Sequence, residues 1–446
     1  PSEASRPVIW NREMETASRE QLRILQGERL QHACAWATER VPFYRKAFAA
    51  AGVDPTRIKS VDDLRRLPFT VKADLRDHYP WGLFAVPPRE LARLHASSGT
   101  KGKPTVVGYT RGDLAIWREV MARSLAAAGA EPGDLIQIAY GYGLFTGGLG
   151  FHDGAEHMGL TVVPVSSGNT LRQILLLQDL RPQGLACTPS FALHIGESMR
   201  EQGIDPRRAG VRYGLFGAEP WTEAMRGQLE HLWGVTAVDF YGLSEIIGPG
   251  VAVECAHARR GLHIAEDHFL PEVIDPATGE PVPAGEEGEL VLTCLSKQAL
   301  PMLRYRTGDI TTLDPEPCPC GRTSVRMARI KGRNDDMLVI KGVNVYPSQL
   351  EAALLTVPEL APHYQLMVER TEGFPTIAVE VEPTPEVVQG WGGFEAGGPA
   401  RAELSARIGE LLRAHLSLNP DIVIVPPKTV PRSEGKAVRV VERRAT

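Results

Sequence analysis

Leu22, Leu25, Leu30, Ala33 and Ala37 recur at helical spacing within residues 15–50, which predicts a helix. Pro42 interrupts it beside Val41, and a short helix is expected through Ala50. Short apolar runs follow at Leu135–Tyr140, Leu160–Val165, Gly184–Thr188, Tyr213–Phe216 and Ala237–Tyr241. Segments of helical character separate them: Gly112–Ala128, Leu171–Leu180 and Thr222–Leu232. Strands alternating with helices predict an α/β domain with parallel strands, and ligands of such sheets sit beyond the strand ends.

From Leu262 to Leu313 helical spacing gives way to strand-like runs joined by Pro/Gly turns, at Val273–Asp275, Glu289–Thr293 and Thr311–Leu313. A β-rich subdomain is expected over about residues 255–330. A separate unit is expected after it: strand Met337–Ile340, helix Pro347–Leu355, strands Gln365–Glu369 and Thr376–Val381, helix Ala402–Leu416 and strand Ile422–Val425. The Gly-rich stretch Gln389–Gly398 reads as an exposed loop. The expected organisation is a large N-terminal domain with mixed and parallel sheets, residues 1–334, and a small α/β C-terminal domain, residues 335–446.

Composition narrows the function classes. A chain of 446 residues is too long for one simple core. Its 43% hydrophobic and 23% charged content is that of a soluble globular protein. A net charge of −5 argues against a general nucleic-acid binder. The sequence holds no apolar run long enough to span a membrane, and its start lacks the charged-then-apolar pattern of a signal peptide. Six cysteines in this length do not make a disulfide scaffold, so a reducing, cytoplasmic setting is expected.

Candidate chemistry begins at Ser97-Ser98-Gly99-Thr100-Lys101-Gly102-Lys103-Pro104, after the apolar run Leu91–Ala96. Gly99 and Gly102 allow backbone amides to approach an anion, Ser97, Ser98 and Thr100 offer hydroxyls, and Lys101 and Lys103 add charge. The spacing is not that of a Walker A loop, and alone it would be an ordinary surface turn. Phe216-Gly217-Ala218-Glu219-Pro220 and Asp239-Phe240-Tyr241-Gly242-Leu243-Ser244-Glu245 each follow an apolar strand. Tyr241 offers a flat face for a purine, with room left by Gly217, Ala218 and Gly242, and Glu245 is a hard oxygen ligand suited to Mg²⁺. Asp309, ending Tyr-Arg-Thr-Gly-Asp, has the two acceptor oxygens needed by a ribose diol. Arg333 is suited to a phosphate or the ribose. Each motif alone has a bland reading, as a core tyrosine, a solvated carboxylate or a surface ion pair.

In this order, and followed by Pro431-Arg-Ser-Glu-Gly-Lys436, the motifs resemble the acyl-adenylate-forming superfamily, and within it the phenylacetate–CoA ligase family. The likeness runs through Leu67-Pro-Phe-Thr-Val-Lys-Ala-Asp-Leu-Arg76, Glu266-Asp-His-Phe269, Arg304–Asp309 and, most specifically, Gly332–Glu351. Lys101 departs from it, standing where most members have a hydroxyl residue. The resemblance implies a two-step reaction: a carboxylate attacks the α-phosphate of MgATP, and coenzyme A then displaces AMP. It also implies a C-terminal domain that rotates about Asp335 between the steps and carries Lys436 to the first, and a homodimer.

Cys255, His263, Cys318 and Cys320 suit a closed structural Zn²⁺ site, with His257 as a rival ligand and His268 a weaker one. The alternative is four reduced, unpaired side chains. For the acid, Ala139–Gly148 is rich in aromatics and glycine at a strand end. Tyr140 and Phe145 are expected to clamp a flat ring, Gly147 and Gly148 to leave it space, and Ile246 and Pro249 to close the far side. No second cation stands in that stretch, which favours a monocarboxylic arylacetic acid. The expected partners are therefore small molecules: aryl acid, ATP and CoA. Two other readings fit the same motifs, an adenylating enzyme that loads an aryl acid onto a carrier-protein thiol and a non-catalytic nucleotide-binding regulatory module.

Overall fold

The computed structural model describes residues 8–97, 104–334, 338–340, 343–370, 376–416, 420–433 and 437–444. Two compact units emerge. The first comprises Pro1–Cys187, Arg208–Ala218 and Val235–Arg329; the second comprises Thr188–Arg207, Glu219–Gly234 and Ile330–Thr446.

The first unit is organised on a nine-stranded sheet. Thr161–Val163, Leu135–Ile138, Gly184–Cys187, Tyr213–Gly217 and Thr236–Leu243 run parallel in that order across it. The next four strands, Gly248–Glu254, Leu262–Ile264, Arg326–Met327 and Leu313–Asp314, are antiparallel. Gly184–Cys187 and Tyr213–Gly217 are buried along their whole length. That is why they read as unbroken apolar runs and not as alternating ones. Parallel register brings the ends of neighbouring strands to one edge, with Gly217 opposite Phe240 and Cys187 opposite Phe216.

The first long helix is Arg19–Arg40, capped by Ser18 and Gln21 in a capping box, and Pro42–Ala50 follows with Pro42 at its first turn. The expected interruption at Pro42 is therefore present. An antiparallel sheet is made by Phe269–Ile274, Gly288–Cys294 and Tyr305–Thr311, and the last of these carries Asp309. Arg93–Ser97 pairs with Thr105–Tyr109 in a two-stranded ribbon, Ser97 opposite Thr105. Of the Ser/Gly/Lys segment, only Ser97 and Pro104 are among the described residues.

In the second unit, Asp421–Ile424, Thr376–Pro383, Leu360–Arg370 and Val440–Arg444 form a mixed sheet. Leu350, Leu354, Leu366, Val379, Val381, Leu404, Ile408 and Leu412 make its core. Gln389–Gly398 is only partly the open loop expected. A helix, Pro385–Gly390, precedes it, started by Pro385 and the Thr384 cap, and Trp391 packs against the core. Helices Pro189–Glu201 and Glu223–Trp233 also belong to this unit. There Glu197 meets His363 at 2.9 Å and Glu201 meets Lys428 at 2.9 Å.

Candidate active site

Thr236–Leu243 runs straight into the turn that holds Ser244 and Glu245, and Gly248–Glu254 returns antiparallel. Gly242 is required by this hairpin: a Cβ there would lie 2.0 Å from the Gly248 carbonyl oxygen. Its role is close backbone approach and not only space for a base. Gly217 is similar, facing the Phe240 carbonyl oxygen at 2.6 Å from its missing Cβ. Ala218 follows with φ +67°, a left-handed conformation that an alanine adopts only under strain. Backbone strain of this kind gathers at ligand-binding turns.

The carboxylate of Glu245 decides the character of this edge. Glu245 is 6% exposed, and its charge acts on the buried Lys297 ammonium, holding the lysine's pKa up against burial. Ser244 Oγ lies 3.1 Å from Thr146 Oγ1, tying the turn to the start of helix Thr146–Met158. The Tyr241 hydroxyl donates to Asp309 Oδ2 at 2.5 Å. Asp239 accepts from Arg329 Nε at 3.0 Å, and its amide donates to Glu254. Asp239 therefore braces the strand beneath the site.

At the neighbouring strand end, Tyr140 is 3% exposed. Its ring stacks on Phe151 with centroids 5.3 Å apart and meets Phe240 edge-on. Its hydroxyl donates to the Cys187 carbonyl. Tyr140 is held rigidly in the wall of the strand end and is no mobile clamp. Phe145 is half-buried and precedes helix Thr146–Met158. The glycines after it do not leave open space: the Phe145 ring fills the place of a Gly147 side chain, and the Gly141 carbonyl that of Gly148. Ile246 and Pro249 are buried, and the Pro249 carbonyl accepts from Trp117 Nε1 at 2.8 Å.

In the second unit, Glu219 accepts backbone N–H groups from Ser190 at 2.9 Å and Ala437 at 2.8 Å. Pro220 is exposed beside it. Arg333 ends the short strand Gly332–Arg333. Ser98, Gly99, Thr100, Gly102, Asp335 and Lys436 lie outside the described residues.

A family model described as AMP-binding enzyme matches residues 25–294, and one described as AMP-binding enzyme C-terminal domain matches residues 342–444. A phenylacetate-coenzyme A ligase of Thermus thermophilus is 53% identical over 97% of this chain and 99% of its own length. The chain belongs to the phenylacetate–CoA ligase family. An Escherichia coli phenylacetate-coenzyme A ligase is 48% identical, with 97% of each chain covered. Among solved structures, a 2-hydroxyisobutyryl-CoA ligase in the postadenylation state matches with a TM-score of 0.91 and 29% identity, covering 99% of this chain and 94% of its own.

Away from this edge of the sheet, the family member also gathers Cys255, His263, Cys318 and Cys320. Their ligand atoms all lie within 4.8 Å of one another, and all four residues are buried. Cys255 Sγ and Cys318 Sγ are 3.8 Å apart, and Cys320 Sγ is 3.5 Å from His263 Nε2. Tetrahedral Zn²⁺ with Zn–S bonds of about 2.3 Å has edges of about 3.8 Å, so the donor set fits. His263 Nδ1 lies 3.3 Å from Ser324 Oγ, which leaves Nε2 for the metal. Hydrogen bonding from Cys255, and then from His263, favours the thiolate at Cys320. His257 and His268 are outside the cluster.

Lys297 was not legible as a site residue. It stands 4% exposed at the floor of the Glu245 turn. The available signal was its isolation, as the one charged residue in Leu290–Leu303. Arg329 and Thr146 were missed for a different reason: only the folded register places them beside Asp239 and Ser244.

Proposed function

We propose that this protein is a phenylacetate–CoA ligase, converting phenylacetate, ATP and CoA into phenylacetyl-CoA, AMP and pyrophosphate through an acyl adenylate. The observation that carries this reading is identity of 46–53% to four phenylacetate-coenzyme A ligases, each aligned over 97% of the chain. The chemistry is mainly positioning and charge neutralisation. Asp309, oriented by Tyr241, receives the ribose hydroxyls. The Ser97–Pro104 segment is assigned to the phosphates, Gly217–Pro220 to the base, and Arg333 to supplying charge. Glu245 is the ligand for Mg²⁺, which when bound would offset phosphate charge; its hard carboxylate oxygens, carried on the turn at the strand end, support this role. Lys436 assists adenylate formation, and Asp335 is the hinge. Tyr140, Phe145, Ile246 and Pro249 wall the acid pocket. Cys255, His263, Cys318 and Cys320 hold a structural Zn²⁺, because four protein donors leave no open position for a substrate.

Pyrophosphate exchange over a panel of acids, followed by a CoA acceptor assay, tests the reading. Phenylacetate and ring-substituted relatives should outrun acetate by roughly thirtyfold in kcat/KM, the worth of about 2 kcal/mol of buried ring surface. Phe145→Ala should cost phenylacetate more than hexanoate. Acetate or palmitate as the better substrate would overturn the acid assignment. Transfer to a carrier protein in preference to CoA would overturn the acceptor.

A further inference from the structure

Three consecutive backbone carbonyls of the Glu245 turn are each met from beneath by a buried side-chain donor. Lys297 Nζ reaches the carbonyl of Glu245 at 3.4 Å. Cys294 Sγ reaches that of Ile246 at 3.7 Å. The Tyr109 hydroxyl reaches that of Ile247 at 3.0 Å. The donors come from separate segments: Thr105–Tyr109, the end of Gly288–Cys294, and the loop after it. They also support one another. The Lys297 ammonium sits 4.6 Å from the Tyr109 ring centroid, and that ring stacks on Trp117 at 4.8 Å. From above, the amides of Ile246 and Ile247 both donate to the Leu243 carbonyl, at 3.1 and 3.2 Å.

A buried ammonium is expensive, and Lys297 has no carboxylate within ion-pair distance among the described residues. The nearby Asp113 carboxylate is occupied by backbone N–H groups of Thr110, Gln298 and Ala299, at 2.9, 2.6 and 3.0 Å. Burial pushes the lysine's pKa down, partly opposed by Cys294, Asp113 and Glu245. An apolar side chain of similar length would fill the space at lower cost, so the function of the nitrogen lies in the carbonyl it holds.

We propose that Lys297, Cys294 and Tyr109 form a three-donor clamp that fixes the Glu245 turn, with Lys297 as its principal positioning residue. The consequence for catalysis rests on the reading of Glu245 as the Mg²⁺ ligand. A carboxylate on a loosened turn loses affinity for the cation because ordering it is then charged against binding.

Hydrogen exchange on the full chain tests the clamp without reference to activity. Lys297→Met should speed exchange of the Ile246 and Ile247 amides by about tenfold, the loss of one charge-assisted hydrogen bond. Tyr109→Phe, which removes one hydroxyl, should speed it by about threefold and serves if Lys297→Met does not fold. Binding of Mn²⁺ in the presence of ATP, followed by its electron spin resonance, should weaken in parallel. Unchanged exchange at Ile246 and Ile247 in the folded variants would overturn the clamp. So would acceleration spread equally over Thr236–Leu243 and Gly288–Cys294, the mark of general loosening. Glu245→Gln separates the two ideas: it should weaken Mn²⁺ binding while leaving exchange intact. Intact Mn²⁺ binding in Glu245→Gln would remove Glu245 as a metal ligand, leaving the clamp to be judged by exchange.

Discussion

Tyr241 and Asp309, 68 residues apart, are joined by a 2.5 Å hydrogen bond from hydroxyl to Oδ2. The bond links the end of a parallel strand in the nine-stranded sheet to a strand of the antiparallel one. It orients a buried carboxylate that also has its own amide bonded to Thr307 Oγ1. A ribose diol held by both Asp309 oxygens would share Oδ2 with the tyrosine. Asp309→Ala is expected to raise the KM for ATP by about thirtyfold or more, since two hydrogen bonds to a charged group disappear. Tyr241→Phe should raise it only a few fold, roughly one neutral bond's worth. An ATP dependence unchanged in Asp309→Ala would remove Asp309 from the nucleotide site.

Lys436→Ala should nearly abolish pyrophosphate exchange while thioester formation from supplied phenylacetyl adenylate persists. An ammonium at the attacking carboxylate and α-phosphate assists only the first step. Equal losses in the two half-reactions would count against this role.

Protein never exposed to chelator should carry close to one zinc per chain, about the stoichiometry of a single four-ligand site. Cys318→Ser should lower both zinc content and Tm, leaving residual activity in the folded fraction. A zinc ion here would close the residues between Cys255 and Cys318 into one loop, so its loss should be felt in stability first. Metal-free native protein with these three thiols and the one imidazole freely reactive would dispose of the site.

His268 predicts acid sensitivity. Burial lowers its pKa from 6.5 to about 4, although Asp267 opposes the shift. Asp267 is already engaged by Arg123 through two bonds, at 2.8 and 3.0 Å. Ser296 Oγ and Arg29 Nη1 approach His268 Nδ1 at 2.6 and 3.4 Å and Asp267 Oδ2 lies 3.2 Å from Nε2, so the Arg29 and Arg123 guanidiniums add to burial in opposing a second proton while the carboxylate offsets only part of it. The folded pKa is below the unfolded one. Stability from this group is thus complete above pH 6.5 and is lost as pH falls toward 4, by up to about 3 kcal/mol. Denaturant titrations from pH 7 to 4 should show a shallower loss in His268→Gln than in the parent. Parallel pH profiles would rule out this histidine as the source.

Apolar runs such as Tyr213–Phe216 and Ala237–Tyr241 announced buried parallel strands, because both faces of such a strand are covered and no polar alternation survives. Pro42 and Pro347 marked helix starts, since a fixed φ and a missing N–H suit the first turn. Boundaries were less legible: the strand that begins at Leu360 was expected only from Gln365, because its first residues, Leu-Ala-Pro-His, lack a strand pattern. The sequence by itself determined the residue types of the site, the order of its motifs and the family. It could not assign Gly242 and Gly217 to backbone approach, nor show that Gly147 and Gly148 make room for the protein's own atoms. Those outcomes depend on which carbonyl or ring the folded register brings within 3 Å. The same limit hid Lys297. Nothing local distinguishes a buried lysine from a solvated one; its burial is decided by Tyr109 and Glu245, which are 188 and 52 residues away in the chain and adjacent only once the sheets have formed.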